Sequence, residues 1–212
     1  MAAILPNSIF VHIPKTGGTF VRRTIKDLGL YRGEAYEGNN NWTRIQVIHL
    51  GIGDIQSNKL TFAFVRNPTT WLQSKWTNMV RRFKKSSKPS KHLWKNDCFS
   101  KDFGEFVRKV LDLHPNRPTI EMNNKLGYEV VYDKCQPKKH HVDLIGKNES
   151  LREDLIRILN TAGEEFDENT ILNKEEQRVA SRSRNWACQY PPGLEDKVID
   201  ANLPFAKAFG YF

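Results

Sequence analysis

The 212-residue sequence predicts an α/β protein, read as a single domain over 1–212 with a P-loop-like parallel β-sheet flanked by helices. Three strand-to-helix passages carry that prediction. The β-rich run at 8–13 (SIFVHI) passes through HIPKTGGT into a helical pattern. LTFAFVR at 60–66 passes through Asn67-Pro68 into a second, and HVDLIG at 141–146 leads into a third that opens near Ser150. Strands alternating with helices imply a parallel sheet covered on both faces. With 39% apolar and 27% charged residues, the chain can build a substantial core.

Taken in order, Phe20, Thr24, Ile25 and Leu28 fall on one face of the first helix, which Gly29 closes. Residues 31–43 read as a loop rich in Gly and Asn, and 44–50 as a second strand ending at His49-Leu50. After the strand at 60–66, Thr69 or Thr70 is expected to cap a helix whose stripe is Leu72, Trp76, Met79, Val80 and Phe83. From Lys75 to Lys101 there are nine Lys or Arg against one acid, Asp97, as in a solvated helix end followed by a mobile loop. A further amphipathic helix carries Phe103, Phe106, Val107, Val110 and Leu111, whereas 114–139 shows no clear period. Ser150 and Glu153 form a capping-box pattern opening a helix with Leu151, Leu155, Ile158 and Leu159, closed by Gly163. A last helix begins near Pro192 and is interrupted at Pro204. The chain shows no internal repeat.

Composition excludes several classes. Cys98, Cys135 and Cys188 share no short spacing, so neither a zinc knuckle nor a disulfide framework is predicted. His140 and His141 would face opposite sides of a strand, and no metal site is expected. No apolar run approaches the ~20 residues that cross a bilayer, and the start lacks a basic leader, so a cytoplasmic location is expected. The net charge of +9 points to an anionic partner, either a nucleic acid, a nucleotide or a polysaccharide.

The loop narrows that choice. In PKTGGT the glycines let the backbone approach an oxyanion. The hydroxyls of Thr16 and Thr19 are expected to donate to it, and Lys15 adds a compact charge. The following helix directs N–H groups and its positive end to the same place. As a bare hexamer, PKTGGT is also compatible with a plain polar turn. A nucleotide triphosphatase loop would carry its lysine after the glycines, and kinase chemistry needs a magnesium carboxylate; neither is found here. A group with less charge than a phosphoryl, such as a sulfuryl, could be transferred without the metal. Arg66 ends a strand and Ser74 lies on the next helix, an arrangement suited to gripping a phosphate, although a strand-end ion pair is the commoner use of such an arginine. Lys15, His49 and Arg66 all follow strands and should gather at one sheet edge, where ligands of such sheets bind.

On HIPKTGGT and on Phe64-Val-Arg66-Asn-Pro68 with Ser74, the sequence resembles the PAPS-dependent sulfotransferases, PAPS being 3′-phosphoadenosine 5′-phosphosulfate. It looks closest to the carbohydrate and heparan-sulfate O-sulfotransferase branch. His49-Leu50, the VDLIG run at 142–146 with Glu149, and the ending Ala208-Phe-Gly-Tyr211 add to the likeness. The resemblance implies a sulfotransferase fold, with Lys15, Thr16, Gly17, Gly18 and Thr19 holding the 5′-phosphosulfate, and Arg66 and Ser74 the 3′-phosphate. It implies PAPS as sulfate donor, 3′,5′-adenosine bisphosphate as product, no metal, and an acceptor hydroxyl on an anionic or neutral glycan. Secretory members carry a membrane anchor, which is not expected here, and 81–140 matches nothing assignable in the family. That stretch is read as an acceptor-binding, variable region.

In that reading Lys15 stabilises the oxygen left behind by the departing group. His49 is the expected base, being matched to neutral pH; Glu34 and Asp54 are alternatives, and His49 also fits a structural role. His12 lies within the first strand and is expected to be packed. Arg184, or Arg182, in the run 181–186 (SRSRNW) would touch the 3′-phosphate. Phe83, Trp94 and Phe99 in the basic stretch would stack on sugar rings. The competing readings are a P-loop-type kinase of a small metabolite, a nucleic-acid-binding module using 75–101, and a sulfotransferase fold that binds without catalysing.

Overall fold

The computed structural model describes residues 2–34, 59–85, 98–116, 142–175 and 188–211. In chain order its elements are β1 (Ala2–Ile4), β2 (Ser8–Val11), α1 (Gly18–Asp27), β3 (Gly33–Glu34), β4 (Leu60–Val65), α2 (Pro68–Lys85) and α3 (Phe103–Leu113). Then follow β5 (Leu144–Lys147), a 3-10 turn (Asn148–Ser150), α4 (Leu151–Thr161), α5 (Glu168–Leu172), α6 (Leu194–Ala201) and α7 (Leu203–Ala208). They fall into two compact units, residues 1–66 with 123–177 and residues 67–122 with 178–212.

The first unit holds a five-stranded sheet of order β3-β1-β2-β4-β5. β2, β4 and β5 are parallel, with Ile9 opposite Thr61 and Phe62 opposite Leu144. β1 runs antiparallel to β2, and β3 antiparallel to β1. The sheet is therefore mixed, where the sequence predicted a parallel one. The cause is local: the Leu5 N–H donates to the Ser8 carbonyl at 2.9 Å, closing a tight turn around Pro6 and Asn7 that reverses the chain before β2. The strand expected at 44–50 lies outside the described residues.

Phe10, Phe62 and Phe64 rise from one face of β2 and β4 and pack with Phe20, Val21 and Ile25 of α1 and Leu155, Ile158 and Leu159 of α4. Phe10 and Phe62 lie 5.4 Å apart centre to centre, and Phe64 meets Phe10 edge-on at 6.3 Å, a favourable aromatic geometry. Ile9, Val11, Ala63 and Val65, on the other face, are buried as well. Strands apolar on both faces are what a parallel core requires.

The second unit is helical. Asn67, not Thr69 or Thr70, caps α2: its side-chain oxygen accepts from the Thr69 N–H at 2.9 Å, and Pro68 takes the first helical position, where its missing N–H is harmless. Leu72, Trp76, Met79 and Val80 of the predicted stripe are buried. Trp76 donates from its indole to the Ser100 carbonyl at 3.0 Å and meets Phe103 edge-on at 5.5 Å. Asp102 caps α3 by accepting from the Glu105 N–H at 2.7 Å. The last helical stretch breaks at Asn202, whose amide donates to the Val198 carbonyl, so Pro204 sits in the first turn of α7 rather than at the interruption. No helix among the described residues is long and apolar enough to cross a membrane.

Candidate functional site

Between β2 and α1 the chain makes a turn over 14–17. Thr16 is fully buried there, and its hydroxyl donates to the Ile13 carbonyl at 2.8 Å. That proton fastens the turn, so Thr16 offers an anion its backbone rather than the expected hydroxyl. Lys15 has φ 71°, the left-handed region, which costs a residue with a side chain about 1–2 kcal/mol. Strain of this kind persists where a site over-determines the backbone.

Gly17, with φ 90°, is the N-cap of α1 and brings no side chain to it. The first-turn N–H groups of a helix lack the partners that later turns have; here the Phe20 N–H donates to the Gly17 carbonyl at 2.8 Å, and among the described residues no side chain caps the N–H groups of Gly18 and Thr19. A Cβ on Gly17 would lie 2.7 Å from Asn148 Nδ2 and 2.8 Å from Leu151 Cδ2. A Cβ on Gly18 would lie 1.9 Å from Cδ2 and 2.2 Å from Nε2 of His12. Both glycines are thus required by close neighbours. His12 follows β2 directly, stacks on Phe10 at 6.0 Å and closes over Gly18. Thr19 is exposed in the first turn of α1.

Arg66 follows β4, and its Nη1 donates to the Lys15 carbonyl at 3.3 Å. The two cations expected to converge at one sheet edge are therefore neighbours. His49, Asp54, Arg182, Arg184 and the pair His140-His141 lie outside the described residues. Glu34, the other carboxylate considered as base, is engaged: Arg22 pairs with it, and the Tyr31 hydroxyl donates to it at 2.9 Å. Both carboxylate oxygens of Glu34 are thus already bonded within the chain, Oε1 to Arg22 and Tyr31 and Oε2 to Arg22.

The third strand-to-helix passage completes this edge. The predicted Ser150 cap does not form; the Ser150 hydroxyl instead donates to Asp154 Oδ2 at 2.7 Å, and the Lys147 N–H donates to the same oxygen at 2.8 Å. Burial pushes Asp154 up, but these bonds, together with Arg157, outweigh it and hold its carboxyl below the usual range. The pinned turn presses Asn148 and Leu151 against Gly17. Sequence reasoning missed Asn148; its signal was its place immediately after a strand at the ligand-binding edge.

In the second unit Ser74 is half-buried on α2. Next to it, Gln73 donates to the Cys188 carbonyl at 2.8 Å, Thr77 Oγ1 lies 3.3 Å from Cys188 Sγ, and the Tyr190 hydroxyl donates to the Thr69 carbonyl at 2.9 Å. α2 thus fastens the chain where it emerges from the run bearing Arg182 and Arg184. Burial pushes the Tyr190 phenol well above its ordinary value. Lys75 lies over the Trp71 ring at 5.6 Å, and burial, then Arg82, lowers its pKa. Among the described residues no group of three or more His, Cys, Asp or Glu is placed to hold a metal ion.

A left-handed lysine, two closely packed glycines, an open helix N-terminus and an arginine on the loop carbonyl together favour an oxyanion. A profile of the Sulfotransferase family matches residues 7–203, a span that contains every one of these groups. The chain belongs to the sulfotransferase family. Two curated members, carbohydrate sulfotransferase 11 of Rattus norvegicus and carbohydrate sulfotransferase 11 of Mus musculus, are each 29% identical to it over 182 residues. Each alignment covers 73% of this sulfotransferase chain and 50% of the relative, so the chain spans about half the length of the curated relatives it matches. No solved structure matches it significantly.

Proposed function

We propose that the chain transfers a sulfuryl group from 3′-phosphoadenosine 5′-phosphosulfate to a hydroxyl of a carbohydrate. The observation that carries this reading is the loop in which Lys15 stands left-handed with Arg66 on its carbonyl and α1 opens beyond Gly17. Family membership and the names of the relatives support the reaction class and the carbohydrate acceptor. The donor's 5′ group suits the loop because Gly17 and Gly18 bring backbone to the surface where any Cβ would collide.

Bound there, the donor supplies an activated sulfuryl group, whose sulfur gains a bond to the acceptor oxygen as its bond to the 5′-phosphate oxygen breaks. Lys15 and the first N–H groups of α1 stabilise the charge growing on that departing oxygen. Arg66, with Ser74 and Arg184, holds the 3′-phosphate through charge-assisted bonds. His49 takes the hydroxyl proton, an imidazole being the side chain matched to this task near pH 7. Because the sulfuryl group carries less charge than a phosphoryl group, the residues serve without a divalent cation.

The test is transfer of labelled sulfate from the donor to a panel of acidic and neutral polysaccharides, with a chelator present. Labelled carbohydrate is expected from wild type. Lys15→Ala should fall by about 10²–10³-fold in kcat, the loss typical of one oxyanion donor. His49→Ala should bind the donor normally and turn over slowly. A Lys15→Ala variant as active as wild type would remove the loop from the chemistry, and an absolute need for magnesium would favour a kinase-like reaction.

A further inference from the structure

We propose that the Asn148 side chain is a binding residue of the donor site, its amide N–H donating to the 5′ anion held at the glycine loop. This rests on the sulfotransferase reading above and adds a residue to it from the third strand. In the sheet, Val65 pairs with Lys147 and Val11 with Ala63. The residue after β5 therefore emerges at the edge where Arg66 follows β4 and the loop follows β2.

At that edge Asn148 turns its Nδ2 onto Gly17, 2.7 Å from the point a Cβ would occupy. Its backbone is not free to drift, since Asp154 holds the turn on both sides through the Lys147 N–H and the Ser150 hydroxyl. The side chain is half-buried, and among the described residues its amide makes no hydrogen bond within the chain. A half-buried amide held against the left-handed glycine that opens a helix, with its donors unspent, is placed to complete an anion cradle. It brings direction without further charge beside Lys15 and Arg66. It also gives Gly17 a second purpose, because a side chain there would displace the amide as well as strain the turn.

The experiment is calorimetric titration of wild type, Asn148→Ala and Asn148→Asp with 3′,5′-adenosine bisphosphate and, separately, with adenosine 3′-monophosphate. Equal thermal unfolding of the three proteins is checked first. Wild type is expected to bind the bisphosphate. Asn148→Ala should bind it about tenfold more weakly, the loss of one bond to a charged acceptor. Asn148→Asp, nearly the same shape but a carboxylate facing an anion, should bind about a hundredfold more weakly. All three should bind the 3′-monophosphate alike, since it lacks the 5′ group.

An Asn148→Asp variant that binds the bisphosphate like wild type would overturn the assignment while leaving the sulfotransferase reading intact. Equal losses on both nucleotides would overturn it too, since they would mark a deformed loop rather than a lost contact. Wild type that is folded yet binds no bisphosphate would remove the reading itself and this assignment with it.

Discussion

At the scale of single residues, Lys15 combines a proposed role in transfer with backbone strain. A left-handed lysine is disfavoured unless its position matters, so Lys15→Gly should relieve strain that Lys15→Ala retains. Glycine normally lowers stability through the unfolded chain. Here Lys15→Gly should nonetheless unfold at a higher temperature than Lys15→Ala, both being inactive; the reverse order would mean the turn does not hold φ at 71°. Gly18→Ala must push the His12 ring aside and should cost about 1–3 kcal/mol, the range for overpacking. In a His12→Ala background the same change should cost less, a coupling that denaturant midpoints of the four proteins would read; strict additivity would deny the contact. The placement of Lys15, the glycines and Arg66 side by side was legible because it is local to strand ends. The buried role of the Thr16 hydroxyl and the capture of Glu34 by Arg22 were not, since each depends on where a second segment arrives.

At the scale of elements, the passages from strand to helix were read correctly where residue type alone decides them, as at 8–27 and 60–83. β1 escaped because a three-residue strand has too little pattern to show, and its pairing is made by the turn at Pro6 and Asn7. That turn is held from afar: the buried Glu164 carboxylate accepts from the Asn7 N–H at 3.0 Å and the Ser8 hydroxyl at 2.7 Å. Glu164→Ala strands both donors and should cost about 1–3 kcal/mol, measured by denaturant unfolding. Glu164→Gln, which still accepts, should cost less, and equal losses would show that the hydrogen bonds are not what matters. Ser150 was read as a cap, whereas Asp154 takes that part because it can accept from Lys147 and Ser150 together. The folded Asp154 carboxyl lies below its unfolded value of about 3.9. Its contribution is complete above that value and is lost as pH falls through the lower folded one. Wild type should therefore exceed Asp154→Asn in stability by a constant margin from about pH 7 to 5, narrowing below about pH 4; a margin unchanged in acid would place the effect elsewhere.

At the scale of the whole molecule, net charge +9 and the proposed oxyanion-binding loop point the same way, toward anionic ligands. The α/β class was legible from alternating patterns, while the mixed order of the sheet was not, because it is set by a short turn at Pro6 and Asn7 that carries little sequence pattern. Charge alone left nucleic acid, nucleotide and polysaccharide open; membership of the sulfotransferase family, with Arg66 on the Lys15 carbonyl, supports the proposed nucleotide donor and carbohydrate acceptor. The most direct measurement is calorimetric titration of the folded wild type with 3′,5′-adenosine bisphosphate in the presence of a chelator, beside ATP with magnesium. One-site binding of the bisphosphate, weakened at least about tenfold in Arg66→Ala and far exceeding that of ATP, is the predicted result. Binding of magnesium-ATP with none of the bisphosphate would contradict the account and turn the Lys15 loop into the phosphate grip of a kinase.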